Sequence, residues 1–241
     1  MRLTWDDVGT HYFKIGIDHG VLYPYIEEQY SKGVPWSGLT GIDHTSSGRE
    51  KTVLYTGGVK SRILLTPEEF GGIINAFYYP DEFEQCMGNA TDPGLDGLVI
   101  GQQEAIPFGL TYRTRIGNET AGSNFAYQLH FVYGALVTGA TDSNSTVNAS
   151  SDLTPMSWTF DSVPVAIDGY SPTSHIFIDS RKFSKESMAY VEEAIWGSES
   201  NEPYLPMLDD IQERLWMGVP YSGAPQPYGL FPSGEIFPMD L

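Results

Sequence analysis

FGLTYRTRIGNETAGSNFAYQLHFVYGALV, from Phe108 to Val137, is the stretch that sets the fold class. Leu110, Tyr112, Thr114 and Ile116 recur at every second position, opposite Thr111, Arg113 and Arg115. A period of two marks a half-buried strand, because successive side chains of an extended chain point to opposite faces. Gly117 to Gly122 is rich in turn formers, and beyond it Tyr127, Leu129, Phe131 and Tyr133 alternate in phase. Two such runs with a Gly/Asn connection predict an antiparallel hairpin.

The same reading extends outward. Tyr12 to Tyr25 alternates, with Phe13, Ile15 and Ile17 opposite Lys14, Gly16 and Asp18, and Gly20 is expected to turn the chain into Val21-Leu22-Tyr23. Gly41 to Gly58 is polar and rich in Gly, Ser and Thr, which predicts a long loop. Ile73 to Tyr79 is a β-prone run that Pro80 stops. Glu68-Glu69, Asp81-Glu82 and Asp209-Asp210 read as acidic residues at the start of short helical turns, where the helix dipole favours them. Met156, Trp158 and Phe160 mark another strand, and Ser174 to Asp179 a further one.

Helical spacing begins late. Ser184 is a candidate N-cap for Met188, Val191 and Ile195, and Gly197 a terminator. Leu208, Ile211 and Leu215 predict a second short helix ending before Gly218. Strands first and helices last, without βαβ alternation, predict a mainly β fold: an antiparallel β-sandwich or barrel with one or two short helices and a long inter-strand loop. Residues 1–197 are expected to form this domain. Residues 198–241 are read as a helical turn plus a Pro-rich extended extension, with five prolines in the last 23 residues.

Bulk composition narrows the function. With 241 residues and 41% apolar content, the chain can bury one substantial core. Thirteen Lys+Arg against 31 Asp+Glu give a net charge of −18, which disfavours ordinary duplex-DNA binding because phosphate would be repelled. The single cysteine, Cys86, permits no intrachain disulfide and reads as a small core filler. The N-terminal residues show no apolar signal region, and no run approaches the roughly 18 apolar residues of a membrane span, so no membrane partner is expected. Asn89, Asn118, Asn144 and Asn148 open Asn-x-Ser/Thr triplets that are read as turn chemistry.

The chemistry-bearing residues do not assemble into a catalytic pattern. His11, His19, His44, His130 and His175 lack metal-ligand spacing and are read as turn and surface histidines. There is no nucleophile elbow or phosphate loop, so no catalytic, cofactor or metal site is expected. Tyr78, Tyr79, Tyr112, Tyr127 and Tyr133 suit core or subunit-interface packing better than sugar stacking. Arg113 and Arg115 are expected in cross-strand or intersubunit pairs.

Several ordered blocks carry a family resemblance. They are Gly-Val-Pro-Trp-Ser-Gly-Leu-Thr from Gly33 to Thr40, Glu-Glu-Phe-Gly from Glu68 to Gly71, and Phe-Tyr-Tyr-Pro-Asp-Glu-Phe from Phe77 to Phe83. Ile-Gly-Gln-Gln from Ile100 and Tyr-Arg-Thr-Arg-Ile-Gly-Asn from Tyr112 follow. In this order they resemble the major tail (tail tube) proteins of long-tailed bacteriophages that infect Gram-positive bacteria. The likeness runs from Met1 to about Ile195 and weakens over Thr138 to Leu153 and in the tail.

The resemblance implies a tail-tube type β-sandwich whose six copies close into rings that stack into a conduit for genome ejection. Its expected partners are other copies of itself, the tape measure protein in the lumen, and tail terminator and distal tail proteins at the ends. Genomic DNA would pass without sticking, and six copies at −18 would place −108 on each ring. The expected location is the virion tail, after assembly in the host cytoplasm. The loop at 41–58 is the expected inter-ring clasp, with Asp43, Ser47, Arg49, Lys51, Leu54 and Tyr55 as its contact residues. Trp36, Arg113, Arg115 and Tyr79 are the expected subunit-interface residues. The rival expectations are a carbohydrate-binding β-sandwich module and another ring-forming tail protein, a terminator or distal tail protein.

Overall fold

A computed structural model describes residues 5, 7–48, 51–65, 68–95, 97–142 and 155–218. The strands are β1 (Tyr12–Ile26), β2 (Gln29–Tyr30), β3 (Val34–Trp36), β4 (Leu39–Ser47), β5 (Lys51–Thr56), β6 (Val59–Leu65), β7 (Glu69–Ala76), β8 (Ala90–Thr91), β9 (Val99–Ile100), β10 (Phe108–Asn118), β11 (Gly122–Thr141), β12 (Met156–Ser162) and β13 (His175–Asp179). The helices are α1 (Phe83–Cys86), α2 (Lys185–Trp196) and α3 (Leu208–Met217). The fold is thus mainly antiparallel β, with its two longer helices at the end of the described chain.

One sheet dominates, in the order β2-β1-β10-β11-β12-β7-β4, with β3 added on β1 and β13 on β11. β3 lies on β1 and β4 on β7, and only Ser37 and Gly38 join β3 to β4. The strand path therefore curls back towards β1. β11 is long enough to serve two neighbours along one edge: β13 pairs with Gln128 to Val132 and β12 with Ala135 to Thr141.

The hairpin at 108–137 forms, but its two alternating sets point to opposite faces. Tyr112 pairs with His130 and Leu110 with Val132, whereas Leu129 pairs with Arg113. Leu110, Tyr112 and Val132 join Leu22, Trp36, Ile74, Phe83, Phe108, Trp158 and Phe160 inside the curled sheet. Leu129, Phe131 and Tyr133 pack with Val21, Tyr23, Met188, Val191, Ile195, Leu205 and Ile211 beneath α2 and α3. Helices cover the second face, so these strands need apolar residues on both sides.

Ser184 caps α2 by accepting from Ser187 N at 3.0 Å, and Gly197 ends it at φ +77°. Asp209 and Asp210 occupy the first turn of α3, as the sequence predicts. Three local expectations are corrected. Gly20 is no turn: β1 runs straight through it, and bulges between Ile15 and Ile17 and between Asp18 and Val21 absorb the irregularity. Glu69 opens β7, paired with Ser47, because the strand begins well before Ile73 and stops at Ala76. The region 41–58 is not a loop, since most of it is strand.

Candidate subunit-contact surfaces

β4 pairs with β7 and β5 with β6, and the inner part of the second pair keeps the register of the first. Ser47 faces Glu69 before a short break, and Lys51 faces Leu65 after it, four residues further along each strand. The inner pair β4–β7 and the outer hairpin β5–β6, separate sheets among the described residues, are together called the ribbon, with the β5–β6 turn as its tip. The tip is Gly57-Gly58 at φ +61° and +79°, conformations a glycine pair adopts without Cβ strain and which match strand twist in two-residue hairpins.

At its base the ribbon buries Ile74 and Ala76 in the core. Beyond the break none of its described side chains is buried. Leu54, Tyr55, Val59, Ile63 and Leu64 are all exposed, Tyr55 at 68% and Val59 at 70%. An isolated two-stranded hairpin is marginal in water, and contiguous exposed apolar side chains mark contact surfaces. Lys51, Leu54, Tyr55 and Ser47 lie on this ribbon as exposed strand residues, and Asp43 lies nearer its base, 3.4 Å from Asn75 Nδ2. Arg49 falls outside the described residues. Sequence reading missed Val59, Ile63 and Leu64, although Gly57-Gly58 between β-prone runs was a usable hairpin signal.

The other expected contact residues have different surroundings. Trp36 is 3% exposed and packs on Phe83 with ring centroids 4.5 Å apart, so its indole offers no surface to a partner. Its Nε1 donates to the Tyr78 carbonyl at 2.8 Å, and Phe77 N donates to the Gly38 carbonyl at 2.9 Å. Gly38, at φ +81°, lies so close to Tyr78 that a Cβ would come within 2.5 Å of its ring. The blocks Gly33–Thr40 and Phe77–Phe83 are thus one packed unit, which accounts for their Trp, Gly and aromatic residues. Tyr79 is half-buried and donates to Glu84 Oε1 at 2.8 Å. Burial, reinforced by that carboxylate, pushes its phenol up to about 12.

Arg113 and Arg115 share one carboxylate. Arg113 Nε lies 2.6 Å from Asp18 Oδ1, and Arg115 Nη2 2.6 Å from Asp18 Oδ2, with His19 Nδ1 3.0 Å from Oδ1. Burial alone would raise the Asp18 pKa, but hydrogen bonds from Arg113, Arg115 and His19 outweigh it and hold the acid well below the usual carboxylate range. The cross-strand pairing expected for these arginines is present, since β1 and β10 are neighbours. Its acid, Asp18, was not singled out from the sequence.

The histidines are also corrected. His11, His19 and His44 are exposed, but His44 meets the buried His130 and the half-buried His175 across three strands. The Tyr112 and His130 rings stack at 4.6 Å, His130 and His175 at 5.4 Å, and His175 and Phe70 at 4.9 Å. Thr114 Oγ1 meets His130 Nε2 at 2.9 Å, His130 Nδ1 meets His175 Nε2 at 3.1 Å, and the Tyr112 hydroxyl bonds His44 Nε2. Burial, with added repulsion from neighbouring histidines and Lys14, depresses His130 to about 3 and His175 to about 4. These residues are far apart in sequence, and only strand pairing unites them. Among the described residues no group of His, Cys, Asp or Glu is arranged to hold a metal ion, and no helix is long and apolar enough to cross a membrane.

No protein-family model matches the chain, and no curated protein matches it. Among solved structures, it resembles the sheath/tube terminator of the PVC extracellular contractile injection system in its extended state, at 13% identity over 66% of this chain and 93% of that one, TM-score 0.32. It also resembles the tube-terminating cap of the anti-feeding prophage, at 14% identity over 74% and 99%, TM-score 0.37. A third likeness is to the PVC sheath–tube complex in its extended state, at 15% identity over 67% and 88%, TM-score 0.29.

Proposed function

We propose that this chain is a structural subunit of a phage-type tail tube, in which copies close into hexameric rings and rings stack through the β4–β7 ribbon. The observation that carries the reading is the ribbon's outer half: five exposed apolar residues on a hairpin none of whose described side chains is buried. Such an element gains stability when a neighbouring copy covers it, and heterologous contacts of that kind generate rings and filaments. The sequence blocks resembling tail tube proteins and the net charge of −18 support the same role. An acidic conduit repels DNA and lets it pass.

On this reading Lys51, Leu54 and Tyr55 contact the next ring, and Arg113 and Arg115 flank the subunit boundary. Residues 1–197 would supply the ring domain together with α3, whose Ile211 lies in its second core, and the remainder of 198–241 an extension of it. The tape measure protein would occupy the lumen during assembly in the host cytoplasm, with terminator and distal tail proteins at the ends of the virion tail. No catalysis is part of this role.

The test removes residues 49–67 and joins 48 to 68 through a short Gly-Ser link. This cut leaves the paired β4 and β7 in place, which a deletion of 45–56 would not. The full chain is expected to form rings or tubes by negative-stain microscopy, and the variant to remain a folded monomer by circular dichroism and gel filtration. A full chain that stays monomeric at high concentration, or a variant that assembles normally, overturns the proposal.

A further inference from the structure

A groove of about 680 Å³ opens between the start of β11, the turn at Ser180–Lys182 and the first turn of α2. Four of the thirteen Lys+Arg residues line it: Arg113, Arg115, Arg181 and Lys185. Carboxylates around them are Asp18, shared by two arginines, Asp179, paired with Arg181 at 2.5 Å, Glu186 in the first turn of α2, and Glu192, which accepts from the Tyr127 hydroxyl at 2.5 Å. Among the described residues the groove's own lining holds four cations and no carboxylate, on a chain whose overall balance is strongly acidic. The N-terminus of α2 adds partial positive charge at the same place. Phe125, Tyr127, Phe183 and Met188 give the groove an apolar lining.

The described chain ends at the border of this groove. Ser184 lines it and also donates from Oγ to the Gly218 carbonyl at 3.0 Å. Ser187 Oγ donates to the Leu215 carbonyl at 2.8 Å, which fixes the end of α3 on the first turn of α2. The sequence that follows, VPYSGAPQPYGLFPSGEIFPMDL, has no Lys or Arg, carries Glu235 and Asp240, and spaces Tyr221, Tyr228, Phe231 and Phe237 among its prolines. Proline-rich segments are recognised by aromatic-lined grooves, because little chain entropy remains to be lost on docking. A segment tethered beside its site also binds at an effective concentration in the millimolar range.

We propose that residues 219–241 dock in the groove of their own chain, with aromatic side chains on Phe125, Phe183 and Met188 and carboxylates against Arg115, Arg181 and Lys185. The inference goes beyond the tube reading and stands without it. At about 3.1 Å per residue in an extended polyproline conformation, the segment can cross the groove several times over, so reach is no obstacle.

The test uses the full chain with benzoylphenylalanine in place of Phe231, irradiated and mapped by mass spectrometry. A mixture of isotopically heavy and light chains separates contacts within a chain from contacts between chains. Cross-links are expected within one chain, to residues 123–127 and 181–188. Lys185→Glu and Arg181→Glu are expected to lower their yield about fivefold each, and rising salt should lower it in the unsubstituted chain. Heavy–light cross-links, cross-links to other surfaces, no cross-links, or a yield indifferent to both charge reversal and salt would each overturn the proposal.

Discussion

Acidification from pH 7 to pH 5 should destabilise this protein through two side chains. In the folded state His130 is depressed to about 3 and His175 to about 4, from an ordinary value of 6.5, and burial is the main cause for both. The unfolded chain therefore takes up protons that the native state refuses, and stability falls as pH drops through 6.5. It is fully present above that value and continues to fall until the folded values are reached. At pH 5 each histidine is almost wholly protonated when unfolded and almost wholly neutral when folded, a cost of roughly 2 kcal/mol apiece. Relative to pH 7 the pair should cost roughly 4 kcal/mol, a large part of an ordinary domain's stability.

The groups facing this cluster do not cancel the effect. Lys14 opposes protonation of all three histidines, while Asp43 favours it only at His44. Asp18 and Asp179 are both depressed and stay ionised throughout the window. Urea unfolding followed by the fluorescence of buried Trp36 and Trp158 measures the loss directly. In His175→Gln the loss between pH 7 and 5 should shrink to about half. A wild-type loss below about 1 kcal/mol, or an unchanged pH slope in the variant, would refute the account.

Replacing Asp18 with Asn leaves the half-buried Arg113 and its neighbour Arg115 without their shared carboxylate, and should cost about 2–3 kcal/mol at pH 7 in urea unfolding. Because the folded Asp18 is held low, that difference should narrow as pH falls below about 4; equal stabilities at pH 7 would contradict the pairing. Cys86 is fully buried, and burial raises its thiol to about 12, so Ellman's reagent should leave native protein unmodified at pH 8 and titrate one thiol per chain in urea. Prompt stoichiometric reaction of the native protein would show that this part of the core is open.

Much of the β scaffold was legible because its signals are local. Alternation located β10, β11 and β12, and N-cap chemistry located Ser184. The Gly41–Gly58 segment misled for a local reason too: β4 and β5 are paired but mostly exposed, so their polar composition resembles a loop. Only pairing with β6 and β7 made them strands. The face each apolar set would occupy was also hidden, because the sheet is covered on both sides and period-two alternation does not say which side is which.

The amino-acid order by itself determined an antiparallel β chain with late helices and a strongly acidic balance. Tertiary structure decided what those residues touch. It buried Trp36 against Phe83, gave Arg113 and Arg115 a common acid, gathered three distant histidines into one aromatic cluster, and turned an apparent loop into an apolar ribbon. For the Trp36–Phe83, Asp18–arginine and histidine contacts the physical reason is sequence separation: alternation and capping act over a few residues, whereas these contacts join segments tens of residues apart that only the fold brings together.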